Sequence, residues 1–122
     1  MARILIIDDE PALRAVLTAA LEQAGHSVLQ AGDGKGGMHI MQSEKVDLVL
    51  TDVMMPDKDG IEVIMHLREA GHAPPIIAMT GHPEAGELYL KVARSLGARA
   101  VLEKPFRIQL LLSTVNDVLG LR

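Results

Sequence analysis

The sequence predicts an α/β fold, a doubly wound sheet of five parallel strands with helices on both faces. Three observations carry this. Short apolar runs alternate with helix-period segments along the whole chain. Several runs are apolar at every position, as in strands buried on both sides. The helix-period segments also stop at glycines suited to helix C-termini. A length of 122 residues fits one domain, taken as 1–122. No internal repeat, linker or low-complexity stretch divides it.

Residues 3–8 form the first strand. Pro11 suits the first turn of a helix, where its missing N–H costs nothing. Leu13, Val16, Leu17, Ala20, Leu21 and Ala24 follow at helical spacing, and Gly25 ends the helix. Residues 27–31 are a weaker strand. A second helix is expected over about 35–43, with Gly36 and Gly37 counting against it. The third strand is 46–52. A loop with Met55-Pro56 and Asp59-Gly60 leads to a helix carrying Ile61, Ile64, Met65 and Leu67, closed by Gly71. Pro74-Pro75 introduces a strand at 76–80. A fourth helix is expected from about Pro83 to Leu96, then a strand at 100–104. The last helix carries Leu110, Leu111, Thr114, Val115 and Val118 and ends at Gly120.

The runs 4–7, 46–50 and 76–79 are the most apolar and belong at the centre of the sheet. Ser27 and Gln30 in one run, and Glu103 in another, suit edges. That distribution resembles the flavodoxin-like strand order 2-1-3-4-5, from which the full order is taken. Aromatics are confined to Tyr89 and Phe106, so the core must be aliphatic. A chain this long buries roughly two-thirds of its unfolded surface without staples.

Composition excludes several classes. Net charge is −4 with no Lys/Arg run, so no nucleic-acid-binding face is expected. No stretch approaches the ~18 apolar residues of a membrane span, so no membrane insertion is expected. The first apolar run is too short for a secretory signal. There is no cysteine, hence no disulfide and no thiolate metal site. A cytoplasmic setting is the default expectation.

Four of the apolar runs close on polar groups: Asp8-Asp9, Asp52, Thr80 and Lys104. In a parallel sheet these gather at one edge, where such sheets bind ligands at the switch point between strands one and three. Crowded carboxylates repel unless a cation neutralises them, and a hard divalent ion such as Mg²⁺ is the natural one. Asp9 and Asp52 could ligate it directly, Asp8 through a water, and the Met54 backbone carbonyl could add a further ligand. The same set suits phosphoryl transfer to a carboxylate, with Asp52 as acceptor, Lys104 as a point charge and Thr80 as a hydroxyl donor.

Taken together, Asp8-Asp9, Asp52-x-Met54-Met55-Pro56-x-x-Asp59-Gly60, Thr80-Gly81 and Lys104-Pro105-Phe106 resemble a receiver domain of two-component response regulators. The resemblance implies that Asp52 is the phosphorylation site and that Asp8, Asp9 and the Met54 carbonyl serve Mg²⁺. It implies that Thr80 and Lys104 contact the phosphoryl group, and that Lys104–Pro105 is of a kind often cis in the family. It also implies a histidine kinase or phosphotransfer protein as donor. A downstream effector would meet the face of the fourth helix, fifth strand and fifth helix, with Tyr89 a candidate contact and a homodimer left open. One position departs from the family: its frequent Tyr or Phe three residues before the lysine is Val101 here.

Taken singly, each residue has a plainer explanation: Asp8-Asp9 as a turn or cap, Thr80 as a strand-end hydroxyl, Lys104 as a surface charge. Asp59-Gly60 reads as a turn, and Met54 and Met55 as gap-filling side chains. His26, His39, His66 and His72 are expected at the surface. His82 is expected either at the mouth of the site, tuning phosphoryl hydrolysis, or as a solvent-facing loop residue. The signalling switch competes with three other readings. A haloacid-dehalogenase-type phosphatase would need a second Asp where Met54 stands. A flavin module would want aromatic or hydroxyl-rich phosphate loops, which are absent. A docking-only receiver would not need the full constellation. The switch catalyses its own phosphorylation and slow autodephosphorylation, and is not otherwise an enzyme.

Overall fold

A computed structural model describes residues 2–53, 60–69, 74–81, 88, 91–95 and 97–121. Its strands are β1 (Arg3–Ile7), β2 (Ser27–Ala31), β3 (Leu48–Asp52), β4 (Ile76–Thr80) and β5 (Ala100–Glu103). Its helices are α1 (Pro11–Gln23), α2 (Gly34–Ser43), α3 (Gly60–Glu69), α4 (residues 91–95) and α5 (Ile108–Leu119). The strands pair in parallel in the order β2-β1-β3-β4-β5, so the fold class and both edge strands are as the sequence predicts.

The pleat divides the core in two. Leu5, Ile7, Val49, Ile76 and Ala78 point to the face packed by Val63, Ile64 and Leu67 of α3 and Ala93 of α4. Ile4, Ile6, Leu48, Leu50, Ile77 and Met79 point to the opposite face, against Leu17 and Leu21 of α1 and Leu111 and Val115 of α5. Both layers are aliphatic. β1, β3 and β4 are buried nearly throughout because each has neighbours on both edges and helices on both faces.

Boundaries differ slightly from expectation, for visible reasons. Strand three starts at Leu48 rather than at 46. Asp47 is spent on Arg3, whose backbone N–H donates to Asp47 Oδ2 at 2.8 Å while the Asp47 N–H donates to the Arg3 carbonyl. Gly25, at φ 99°, closes α1, and the His26 N–H returns to the Leu21 carbonyl. Only glycine takes that backbone conformation cheaply. The second helix forms despite its glycines. Asp33 caps it, accepting from the Gly36 N–H at 2.7 Å. Gly37 is needed for close approach, since a Cβ there would collide with Ile7 Cδ1.

His26, expected at the surface, is instead buried at the start of β2. Its Nδ1 accepts from the Ala2 N–H at 3.3 Å. The helix stop at Gly25 turns the chain inward at once, which carries the imidazole under the first residues of β1. Burial lowers its pKa from the ordinary 6.5. The unfolded chain therefore binds the proton more readily than the native one. The stability from neutral His26 is full above about pH 6.5 and declines as pH falls through that value towards the lower native pKa. Urea midpoints taken between pH 8 and 5 should show this decline, and His26→Gln should flatten it relative to wild type.

Candidate functional site

The polar site is built by continuing the pleat past the strand ends. Asp8 follows Ile4 and Ile6, Asp52 follows Leu48 and Leu50, and Lys104 follows Leu102, all on the α1/α5 side. The ladder holds this far: the Asp8 N–H donates to the Ala31 carbonyl at 3.1 Å, and the Val53 N–H to the Met79 carbonyl at 2.9 Å. β5 is tied in by the Lys104 N–H, which donates to the Thr80 carbonyl at 2.6 Å. Thr80 has the parity of Ile76 and Ala78 and so belongs to the α3/α4 side. It is buried at the end of β4. The peptide bond joining Lys104 to Pro105 is cis.

Carboxylate oxygens of Asp8, Asp9 and Asp52 lie within 4.8 Å of one another. Asp8 and Asp52 are buried and Asp9 is exposed. Lys104 Nζ donates to both Asp8 Oδ2 and Asp52 Oδ2, each at 2.6 Å. Burial alone would push the ammonium pKa down. The hydrogen bonds to Asp52 and Asp8, with the charges of the two carboxylates, outweigh it and hold the pKa above its ordinary 10.5. Lys104 is therefore cationic across the physiological range. Three converging carboxylates are a hard oxygen donor set, open to solvent at Asp9, and this fits a small divalent cation.

The structure thus brings Asp8, Asp9, Asp52 and Lys104 together, with Thr80 on the neighbouring strand end. Met54, Asp59, His72, His82 and Tyr89 lie outside the described residues, as do most of the residues expected for the fourth helix. His39 and His66 are exposed, as expected.

One residue of the site was not anticipated from sequence. Arg14 Nη1 of α1 donates to the Asp8 carbonyl at 2.6 Å, and a Cβ at Gly32 of the β2–α2 loop would lie 3.4 Å from it. It braces the loop carrying Asp8 and Asp9. Its signal was a cation six residues after Asp8, on the first turns of the helix that the acidic loop enters.

Comparison with known proteins decides the family. A family model described as the response regulator receiver domain matches residues 4–116. The chain belongs to the response regulator receiver family. It is 40% identical over 123 residues to protein PilH of Pseudomonas aeruginosa, covering 98% of this chain and 99% of that protein. Among solved structures, the Vibrio cholerae chemotaxis protein CheY4 is similar with a TM-score of 0.88 at 29% identity, over 97% of this chain and 98% of that one. The Thermotoga maritima response regulator TrrA, solved in complex with Mg²⁺–BeF, gives 0.82 at 28% identity, over 97% and 99%. The chain spans about half the length of several other curated relatives it matches. A receiver is a signalling module, not a conventional enzyme, and the acidic pocket with its lysine is consistent with a phospho-aspartate switch. Among the described residues no helix is long and apolar enough to cross a membrane.

Lys104 also holds the pocket together. Its removal leaves two buried carboxylates facing each other without a cation, a situation that costs about 3 kcal/mol. Lys104→Met should lower stability by that order in urea unfolding with EDTA at pH 7.5.

Proposed function

We propose that this receiver is a phosphorylation-dependent switch, 1–122 acting as one unit, in which Asp52 accepts a phosphoryl group from a phosphohistidine. The donor is a histidine kinase, as the receiver family implies, or a phosphotransfer protein. The observation that carries this is the Asp52 carboxylate at the end of the central strand, held 2.6 Å from the Lys104 ammonium and beside two further carboxylates. An Asp52 oxygen attacks phosphorus, the P–N bond to the donor imidazole breaks, and the imidazole leaves with the electron pair and takes up a proton. Lys104 exchanges its bond to the Asp52 carboxylate for one to a phosphoryl oxygen. The Thr80 hydroxyl donates to another, so charge is met where it develops. Asp8, Asp9 and Asp52 would hold Mg²⁺, with the Met54 carbonyl as a further ligand. When bound, the ion supplies neutralisation of phosphoryl charge. The phosphoryl group adds negative charge at β3 and draws on Thr80 and Lys104, which end β4 and follow β5.

The direct test is intact mass after incubation with acetyl phosphate. A gain of one phosphoryl group that needs Mg²⁺ and vanishes in Asp52→Asn is expected. Thr80→Ala should keep the gain but slow it, by tenfold or more. A folded wild type that binds Mg²⁺ and gains nothing would leave a docking-only receiver.

The α4–β5–α5 face is the proposed contact for a downstream effector or a second copy. Leu88, Val92 and Leu110 are 66%, 38% and 50% exposed there and would offer it apolar contacts. On phosphorylation, amide resonances of residues 91–108 should shift while those of α1 stay in place. The reverse pattern would move the output surface to α1.

A further inference from the structure

Every polar group of Asp8 is engaged. Its N–H donates to the Ala31 carbonyl at 3.1 Å, its Oδ1 accepts from the Glu10 N–H at 2.9 Å, and its Oδ2 accepts from Lys104 Nζ at 2.6 Å. The remaining group, the backbone carbonyl, accepts from Arg14 Nη1 at 2.6 Å. Asp9 is held differently. It is exposed, and its carboxylate makes no hydrogen bond among the described residues. Its aim at the point shared with Asp8 and Asp52 therefore depends on the backbone on either side of it.

Both sides are tied. After Asp9, the Glu10 N–H is bonded to Asp8 Oδ1, and the Glu10 carbonyl accepts from the Arg14 N–H at 3.1 Å. Before Asp9, the peptide unit that joins it to Asp8 is planar, so holding the Asp8 carbonyl also orients the Asp9 N–H. The side chain that holds this carbonyl is Arg14. It does so with one nitrogen. Arg14 Nε is buried and makes no hydrogen bond. An unpaired buried donor costs stability, so the fold gains little from an arginine here beyond the bond to Asp8.

We propose that Arg14 is a positioning residue for the cation site. By holding the Asp8 carbonyl it presets the Asp8–Asp9 peptide unit, and with it the Asp9 carboxylate, for a divalent cation. This rests on the reading of Asp8, Asp9 and Asp52 as Mg²⁺ ligands, and not on phosphoryl transfer. Two effects of Arg14 on such a cation oppose each other. As a charge it repels the ion, so its removal would tighten binding. As a support it spares the ion the ordering of Asp9, and the loss of such a support typically weakens metal binding by about tenfold or more. Positioning predicts a loss of affinity where charge alone predicts a gain.

The test uses the full chain, ¹⁵N-labelled and stripped with EDTA, titrated with magnesium chloride at pH 7.5. Amide shifts of residues 8–10 and 52–53 report binding. Arg14→Met keeps an apolar stem and removes the donors, and should raise the Mg²⁺ half-saturation about tenfold. Arg14→Gln, too short to reach the carbonyl, is an independent variant that should lose as much. Arg14→Lys returns the charge and one donor, and should recover most of the loss because only Nη1 makes the bond. With acetyl phosphate, Arg14→Met should gain its phosphoryl group at near the wild-type rate once Mg²⁺ saturates, a split that general destabilisation does not produce. Unchanged or tighter Mg²⁺ binding in Arg14→Met and Arg14→Gln would overturn the inference. So would Arg14→Lys as weak as Arg14→Met, or a wild type that binds no Mg²⁺. If acetyl phosphate fails to label the wild type while the Arg14 variants still weaken Mg²⁺ binding, the switch reading falls and this inference stands.

Discussion

The Lys104 ammonium, hydrogen-bonded at once to Asp8 and Asp52, is the interaction on which the rest of the structure depends. Two buried carboxylates at the end of an aliphatic sheet are unstable neighbours, and a cation between them makes the burial tolerable. That cation arrives from the edge strand, across β4, and only because three strands end in the same pleat register. The alternation of Ile4 and Ile6, Leu48 and Leu50, and Leu102 packs one face of the sheet. The next step along each strand then delivers Asp8, Asp52 and Lys104 to one point. Core packing and site geometry are one constraint, since a one-residue slip in any of these strands would send its polar group to the opposite face.

This is why the sheet and its site were legible in the sequence. An apolar run followed directly by a charged residue encodes both a buried strand and where its ligand-binding end lies. The element order, the edge strands and the convergence of Asp8, Asp9, Asp52 and Lys104 all follow from that grammar. What was not legible depended on tertiary approach. The burial of His26 follows from the sharp exit at Gly25 and from the Ala2 N–H that needs an acceptor, neither of which hydrophobic spacing reveals. Gly36 and Gly37 count against a helix by propensity alone. In the fold, the packing of Gly37 on Ile7 and the Asp33 cap outweigh that cost. Arg14 reads as an ordinary polar helix residue until the carbonyl it holds is seen to be that of Asp8.

The two faces of the sheet have different shares in the site. The carboxylates and the lysine continue the α1/α5 layer, whereas Thr80 continues the layer packed by α3 and α4. Among the described residues, Thr80 is the member of the constellation through which a change at Asp52 can reach that second layer. Beyond it stands Val101, partly buried and packed against the same cluster. A ring at this position could swing between two orientations as the hydroxyl moves. Valine has a short, stiff side chain with few alternatives. In the proposed switch, movement of Thr80 would then be passed on by a shift of β4 against β5 rather than by a rotamer change at Val101. A shift of packed elements is two-state when interiors are close-packed, because intermediate positions leave voids. On the proposed reading, valine here bears on how a change at Asp52 would be passed from Thr80 to β5, and not on the phosphorylation chemistry, which needs no ring at this position.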